Sequence, residues 1–242
     1  MSEHTYSPAW RAQPLGRRGF LRVSAASAAT VALIATTGCS TETPTPTPAD
    51  PHLLALPTGD PGLFYYAYLL ALALSTTYQK IVDSPPTDLT MAERTIFLNM
   101  RDHQVIYREL LHYYIDPTLK TTLLPTDFAF NVSSFTLTTR AGVLAAAQQL
   151  ADLAAAAYPV LLPLLAATSG YQQSVLLKTV SVQARHAATI RDLRAPGSFA
   201  DDTVVDIATG QLRTKTPLEV TAALAPYFAP YVISVANLAV PV

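Results

Sequence analysis

The sequence is poor in cysteine, tryptophan and charged residues. Cys39 is the only cysteine among 242 residues, which excludes an intrachain disulfide. Charged residues make up 14% of the chain and leave a net charge of −1, so the basic excess typical of nucleic-acid-binding proteins is missing and no nucleic acid is predicted as a partner. The sequence also lacks a run of about 20 strongly apolar residues, which a membrane-spanning helix requires. Half of the residues are hydrophobic, which is enough for a large core in one domain.

The N-terminal segment has the organisation of an export signal. Residues 16–22 read Gly-Arg-Arg-Gly-Phe-Leu-Arg, a twin-arginine motif, and a short stretch rich in Ala, Ser and Thr follows at 23–37. We predict that residues 1–39 are a cleaved leader recognised by the twin-arginine export machinery, which moves folded proteins across a bacterial membrane. These residues are therefore left out of the predicted fold.

Cys39 lies where such a leader would be cleaved. The preceding Gly38 fits a bacterial lipoprotein signal, although Thr36 replaces the usual leucine. We predict that Cys39 is lipidated and anchors the exported protein to a membrane of the periplasm or cell envelope; an unmodified thiol is the alternative. The Pro- and Thr-rich residues 40–60 are predicted to form an extended linker.

Apolar residues recur every three or four positions in four segments, a period that predicts amphipathic helices. The predicted helices span 62–82, 90–115, 139–158 and 171–194. The connections between them are short, long and short, as in ferritin-like bundles with one crossover. We therefore predict an all-α four-helix bundle at 61–196, with its long crossover between the second and third helices.

The last part of the chain is less regular. Residues 197–242 are predicted to be a C-terminal extension that packs on the bundle. Thr209-Gly210 indicates a turn, and Thr216-Pro217-Leu218-Glu219 indicates the start of a short helix that reaches about residue 224. Two prolines, at 226 and 230, and the apolar residues 232–235 are predicted to be coil.

Three short segments resemble one protein family. Residues 147–158 (Ala-Gln-Gln-Leu-Ala-Asp-Leu-Ala-Ala-Ala-Ala-Tyr), 183–188 (Gln-Ala-Arg-His-Ala-Ala) and 102–105 (Asp-His-Gln-Val) are similar to helix segments of secreted bacterial ferritin-like domain proteins. The group often carries twin-arginine leaders and includes plant desiccation-related proteins. The resemblance covers roughly residues 62–194, and the order of the segments agrees with that of the family.

The resemblance implies where a metal site would lie. Ferritin-like di-iron and di-manganese proteins use a Glu from each of two helices and a Glu-x-x-His pair from each of the other two. The corresponding positions in this chain are Ala71 or Leu74, Gln104, Tyr107, Ala151, Gln183 and His186. Only His186 keeps a ligand of the pattern. Neutral side chains do not offset the charge of two divalent ions in a low-dielectric core, so we predict neither a metal nor another cofactor.

His186 is interpreted as a core histidine that shares hydrogen bonds with Gln104, Tyr107 and Gln183. His103 and His112 lie off the inward stripe of their helix and are predicted to be exposed or half-buried. No nucleophile motif accompanies these histidines, so the sequence predicts no catalytic residue.

The function that fits best is a non-catalytic binding or structural protein of the cell envelope. Two alternatives stay open. A divergent metal oxidase could use iron or manganese on relocated ligands, drawn from Asp102, Glu109, Asp152 and His186. The apolar middle of the bundle could instead bind a small lipid or aromatic molecule.

Overall fold

The computed structural model describes residues 50–120 and 123–238. The predicted leader, the lipidation position Cys39 and residues 40–49 of the predicted linker lie outside the described residues. Within the described ranges, no helix is both long enough and apolar enough to cross a membrane.

Five helices and two short strands make up the described chain, and four of the helices form a bundle. The elements are β1 (Leu53–Ala55), α1 (Gly59–Asp83), α2 (Met91–Ile115), α3 (Arg140–Leu161), α4 (Gly170–Arg194), α5 (Pro217–Phe228) and β2 (Val232–Ser234). The short, long and short connections of the predicted bundle are confirmed, and the helix bounds agree with the predicted ones to within three residues. The all-α fold class is therefore correct.

The ends of the helices follow from local sequence signals. Thr90 caps α2 through a capping box, in which its side chain accepts from the Glu93 backbone and the Glu93 carboxylate accepts from the Thr90 backbone. Gly142 lies in the first turn of α3, where the Thr136 carbonyl oxygen is 1.9 Å from the place of an added Cβ. Any larger residue would push the crossover away from the helix.

Glu93 also joins the starts of two helices. Arg140, the first residue of α3, donates to the Glu93 carboxylate at 2.7 Å and to the Leu193 carbonyl near the end of α4 at 2.8 Å. Burial raises the pKa of Glu93, but the hydrogen bonds from Arg140 and Thr90 outweigh it and hold this pKa below its usual value. The ion pair therefore ties α2, α3 and α4 together at one end of the bundle.

The core lies mainly along α1 and α3. Both helices bury small and large apolar residues at most turns, whereas α2 and α4 bury fewer residues and more of these are polar. Helix α1 packs against α2 and α3, and α3 packs against α4. The alanines of α3 leave room for large side chains from its neighbours, among them Tyr66 and Tyr78 of α1.

Helix α3 continues through a proline. The predicted end at residue 158 is too early, because α3 runs to Leu161 with Pro159 inside it. A 3₁₀ turn over Leu162–Leu164 then contains Pro163. Pro159 removes one backbone hydrogen bond near the end of the helix, where the chain changes to the tighter turn.

Two corrections concern the strands. Residues 232–235 were expected to be coil, but β2 pairs in parallel with β1, so that Leu54 lies opposite Ile233. The described end of the predicted linker 40–60 therefore belongs to the fold, since β1 lies within it and Leu56 is buried in the core. Local sequence does not reveal a pairing between segments about 180 residues apart, because neither strand has a long alternating pattern.

The C-terminal extension contacts the bundle through helix α3. Val205 and Leu212 form an isolated antiparallel bridge around the turn at Gly210, which has a φ of +70°. The Lys215 backbone then donates to the Ala156 carbonyl of α3 at 3.0 Å. Helix α5 packs against α3 and runs past the predicted residue 224, because Pro226 lies inside it rather than after it.

Candidate functional site

The middle of the bundle contains a reciprocal pair of amides. Gln104 of α2 donates to Gln183 of α4 at 2.9 Å, and Gln183 donates back to Gln104 at 3.1 Å. Both side chains are completely buried. Each amide thus supplies the donor and the acceptor that the other needs, and neither carries a charge.

His186 extends this pair toward the surface. Its Nδ1 lies 3.4 Å from the Gln104 Nε2, and its Nε2 lies 3.1 Å from the Nδ1 of His103. The two imidazole rings are tilted by only 9° and their centroids are 5.3 Å apart. This centroid distance is close to the sum of the nitrogen–nitrogen distance and the two ring radii, so the rings lie edge to edge and nearly in one plane. The contact is therefore an N–H···N hydrogen bond and not a face-to-face stack.

The network indicates the tautomer of His186. Because Gln104 donates toward Nδ1, the His186 proton lies on Nε2 and is donated to His103. Burial, followed by the nearby His103 and Arg185, lowers the pKa of His186 to about 4. The ring is consequently neutral at neutral pH, and we define Gln104, Gln183, His186 and His103 as the amide–imidazole network.

The other predicted positions lie around this network without joining it. Ala71 of α1 and Ala151 of α3 are completely buried and supply only methyl groups. Leu74 is equally apolar and buried. Tyr107 was expected to share hydrogen bonds with Gln104, Gln183 and His186, and this expectation is wrong for the described residues, since its side chain makes none with them.

Tyr107 instead lines a small cavity together with Tyr158. The cavity has a volume of about 10 Å³, which is room for one water molecule at most. A lipid or an aromatic ligand at this level would require the helices to separate. The alternative of a small apolar ligand therefore gains no support from the packing here.

Three tyrosines near the bundle centre are buried, but they differ in whether their hydroxyl groups have a hydrogen-bond partner. Tyr158 donates to the Ala67 carbonyl at 3.1 Å. The hydroxyls of Tyr66 and Tyr78 have no hydrogen-bond partner within the described part of the chain. Burial is the main cause that raises the pKa of all three phenols, so they are protonated at any physiological pH.

The carboxylates proposed as relocated ligands are paired with arginines. Asp102 and Glu109 are exposed and contact Arg101 at 2.6 Å and Arg108 at 2.7 Å. Asp152 accepts two hydrogen bonds of 2.8 Å from the same arginine of α4. Within residues 50–120 and 123–238, no group of three or more His, Cys, Asp or Glu side chains is placed to hold a metal ion.

The side chains at the centre do not fit the metal pair of di-iron proteins. The amides of Gln104 and Gln183 bind each other, His186 shares its nitrogens with Gln104 and His103, and no described carboxylate is hydrogen-bonded to them. Two divalent ions here would meet a neutral set of donors already used in hydrogen bonds. The donor set at this position is therefore that of a hydrogen-bonded core and not that of a di-metal centre.

Two residues have partners that the sequence did not reveal. His103 was correctly predicted to be exposed or half-buried, as was His112, but its hydrogen bond to His186 was not foreseen. Arg191 is only 5% exposed and forms the bidentate pair with Asp152, while also donating to Asp201 at 2.8 Å. The position of Arg191 in the sequence gave one indication of its role. It directly follows Ile190 of the inward stripe, and a charged side chain beside the buried face of a helix needs an oppositely charged partner.

The comparison with protein families agrees with this architecture. The family model described as a ferritin-like domain matches residues 59–196, more than half of the chain. No curated protein and no solved structure matches the chain. The matched residues begin at the first residue of α1 and end two residues after α4. From its sequence match and its helical bundle, the chain belongs to the ferritin-like domain family.

Proposed function

We propose that this protein is an exported, membrane-tethered member of the ferritin-like domain family that has exchanged the di-metal site for a neutral hydrogen-bond network. In this proposal it acts as a non-catalytic binding or structural protein of the cell envelope. It needs no metal for folding, because the network fills the space between α2 and α4 with groups that satisfy one another.

One observation carries the proposal, namely the reciprocal amide pair of Gln104 and Gln183. To ligate a metal, both buried amides would have to give up hydrogen bonds that only the other can supply, and a buried amide without a partner costs about 1–3 kcal/mol. No carboxylate would compensate the charge of the ion. A bound metal pair would therefore be opposed by both hydrogen bonding and electrostatics.

Export and tethering rest on the sequence alone. The twin-arginine motif at 16–22, the Gly38-Cys39 dipeptide and the Pro/Thr tract have the order of a leader, an anchor and a spacer. In the proposal, acyl chains on Cys39 hold the mature protein on a membrane, which takes more than one chain to be stable.

Metal analysis of the purified chain tests the central claim. Protein produced in medium with iron, manganese and zinc is expected to contain each metal far below one ion per chain. As the matched control, a variant with Ala71→Glu, Gln104→Glu, Ala151→Glu, Gln183→Glu and Tyr107→His restores the family's ligand types and is expected to gain bound metal. Stoichiometric metal in the unmodified protein would refute the proposal.

The tether has its own test in a bacterial host with a twin-arginine system. We expect the full chain in the membrane fraction with the mass of an acylated N-terminal cysteine. Cys39→Ser should release it from the membrane, and Arg17→Lys with Arg18→Lys should stop export. An unacylated, non-membrane form of the unmodified chain would exclude the tether while leaving the claim about the bundle centre intact.

A further inference from the structure

A large cavity lies away from the bundle centre. It is a groove of about 840 Å³ between α3, the end of α4 and residues 203–215. Ligand pockets typically measure about 300–1,000 Å³. We call this cavity the C-terminal groove, since residues 203–215, which form one of its walls, lie outside the part matched by the ferritin-like family.

The groove has an apolar floor. Leu153, Ala155 and Ala156 of α3 line it, and the small alanine side chains create its depth. The Lys215 backbone donates to the Ala156 carbonyl at 3.0 Å, which fixes the wall segment against the floor. A floor of this kind favours a ligand that has a carbon body over a bare inorganic ion.

Arg191 forms the wall of the groove between α3 and α4. Almost all of its N–H donors make hydrogen bonds within the protein. Its Nε and Nη2 donate to the two carboxylate oxygens of Asp152 at 2.8 Å, Nη2 also donates to Thr203 at 2.9 Å, and Nη1 donates to Asp201 at 2.8 Å. A guanidinium has five N–H donors, so only one remains. Arg191 and Asp152 therefore shape the groove without offering it an open charge.

The acidic group on the opposite wall is satisfied as well. One oxygen of Asp206 accepts from the backbone N–H groups of Ala208 and Thr209 at 3.0 and 3.1 Å. These hydrogen bonds are the main reason that the pKa of Asp206 lies below its usual value. Its other oxygen is 3.8 Å from Arg213. Asp206 thus forms the turn and has little capacity left for a ligand.

Two cations on the rim keep free donors. Arg213 uses its Nε for the Asp202 carbonyl at 2.5 Å, and its terminal nitrogens reach only the distant Asp206. The Lys215 ammonium makes no hydrogen bond or ion pair with the described residues, and both side chains are exposed. Both residues line the groove and lie two positions apart in the chain, so one ligand can approach both.

We propose that the C-terminal groove binds small organic acids, with Arg213 and Lys215 on the carboxylate and the alanine floor under the carbon body. The planar fork of an arginine matches a carboxylate, and the lysine adds a second positive charge. This inference deepens the proposed binding role. It is tested separately, since metal analysis examines the bundle centre and ligand titration examines the groove.

Calorimetric titration with matched compounds tests the inference. D-glucuronate and hexanoate provide carboxylates on a hydroxylated and an apolar body, D-glucose and 1-hexanol are their neutral counterparts, and inorganic phosphate is an anion without a carbon body. We expect at least one acid to bind saturably in the micromolar to millimolar range, at least about tenfold more tightly than its neutral counterpart and than phosphate, and more weakly as salt rises.

Substitutions of Arg213 and Lys215 test whether these two rim residues bind the acid. Arg213→Gln with Lys215→Gln is expected to weaken binding of that acid at least about tenfold. Lys215→Gln alone should weaken it less and change the melting temperature little, because the Lys215 ammonium makes no hydrogen bond or ion pair with the described residues and its acidic neighbour Glu219 is exposed. Lys178→Gln, an exposed lysine of α4 outside the groove, is the matched control and should bind like the unmodified protein.

Three results would overturn the inference. One is the absence of saturable binding by both acids up to about 10 mM, a concentration roughly tenfold above the weakest dissociation constant expected for the groove. Another is equal binding of an acid and its neutral counterpart, or of the acid and phosphate. The third is an unchanged affinity in the folded double variant, with folding verified by circular dichroism.

Discussion

The bundle centre and the C-terminal groove differ in their open volume and in how many of their polar groups have hydrogen-bond partners. At the centre, Gln104, Gln183 and His186 are buried and bind one another, and the adjacent cavity holds no more than one water. In the groove, about 840 Å³ is open and two rim cations keep unused donors. The bundle centre is therefore closely packed around polar groups that satisfy one another, whereas open volume and unused donors lie in a groove that residues 203–215 help to form.

The largest effect is expected where the groove joins the bundle. Arg191→Met should lower the free energy of unfolding by about 3–5 kcal/mol, because Asp152 would lose the partner of a largely buried ion pair. Urea unfolding at pH 7 measures this. Arg194→Met, on the exposed side of the same helix, is the control and should change stability by no more than about 0.5 kcal/mol. A small loss for Arg191→Met would mean that the wall of the groove is not anchored as described.

A carboxylate introduced into the amide pair tests whether water reaches the bundle centre. Gln183→Glu should lower stability by about 3 kcal/mol at pH 7, because burial raises the pKa of the new carboxyl and opposes its ionisation. Since this folded-state pKa lies above the unfolded value, the loss should grow as pH rises from about 4 and vanish at lower pH, where the protonated acid mimics the amide.

The control for this charge is a glutamine outside the core. Gln148→Glu places a carboxylate beside Arg194, which already donates to the Gln148 side chain at 2.9 Å. Its unfolding free energy should change by no more than about 0.5 kcal/mol at any pH. If Gln183→Glu were equally harmless at pH 7, water would have access to the centre.

The depressed pKa of His186 predicts how the unmodified protein responds to acid. The folded value is about 4 and the ordinary value is 6.5, so the unfolded chain binds more protons between these two pH values. This part of the stability is complete above about pH 6.5 and is lost as pH falls toward 4. Between pH 7.5 and 5.0 the loss should be about 2 kcal/mol.

Replacing the histidine isolates this contribution. His186→Gln should remove most of the decrease between pH 7.5 and 5.0 in urea unfolding, whereas His112→Gln, at a position outside the amide–imidazole network, should keep it. Carboxylates with low pKa values lose their contribution at lower pH and do not interfere in this range. An unchanged pH dependence in His186→Gln would show that the ring titrates normally in the folded protein.

The smallest effect concerns single hydroxyl groups. Tyr78→Phe should leave stability unchanged or raise it by up to about 1 kcal/mol, because the buried Tyr78 hydroxyl has no partner among the described residues. Tyr158→Phe should lower it by about 1 kcal/mol, because this hydroxyl donates to Ala67. The two tyrosines are equally buried, so thermal unfolding of the pair compares like with like. The same sign for both would contradict the hydrogen-bond assignment.

Much of the fold and part of the centre could be predicted from sequence. The capping box at Thr90 and Glu93 marked the start of α2 correctly, and the helical period brought Gln104 and Gln183 onto facing stripes. The partners of His103 and Arg191 could not be predicted, because both lie one residue beside a stripe. Whether a flanking side chain meets the next helix depends on the tilt and rotation of that helix, which no local pattern contains.

The sequence by itself determined the four helices, their order and the long crossover, because apolar period, caps and prolines act within a few residues of chain. It also determined that the expected ligand positions hold neutral side chains. Only the tertiary structure decided that two glutamines bind each other, that β1 pairs with β2 across the length of the domain, and that residues 203–215 leave a groove over α3. These features arise between elements distant in sequence, where the packing of side chains fixes distances that sequence spacing does not.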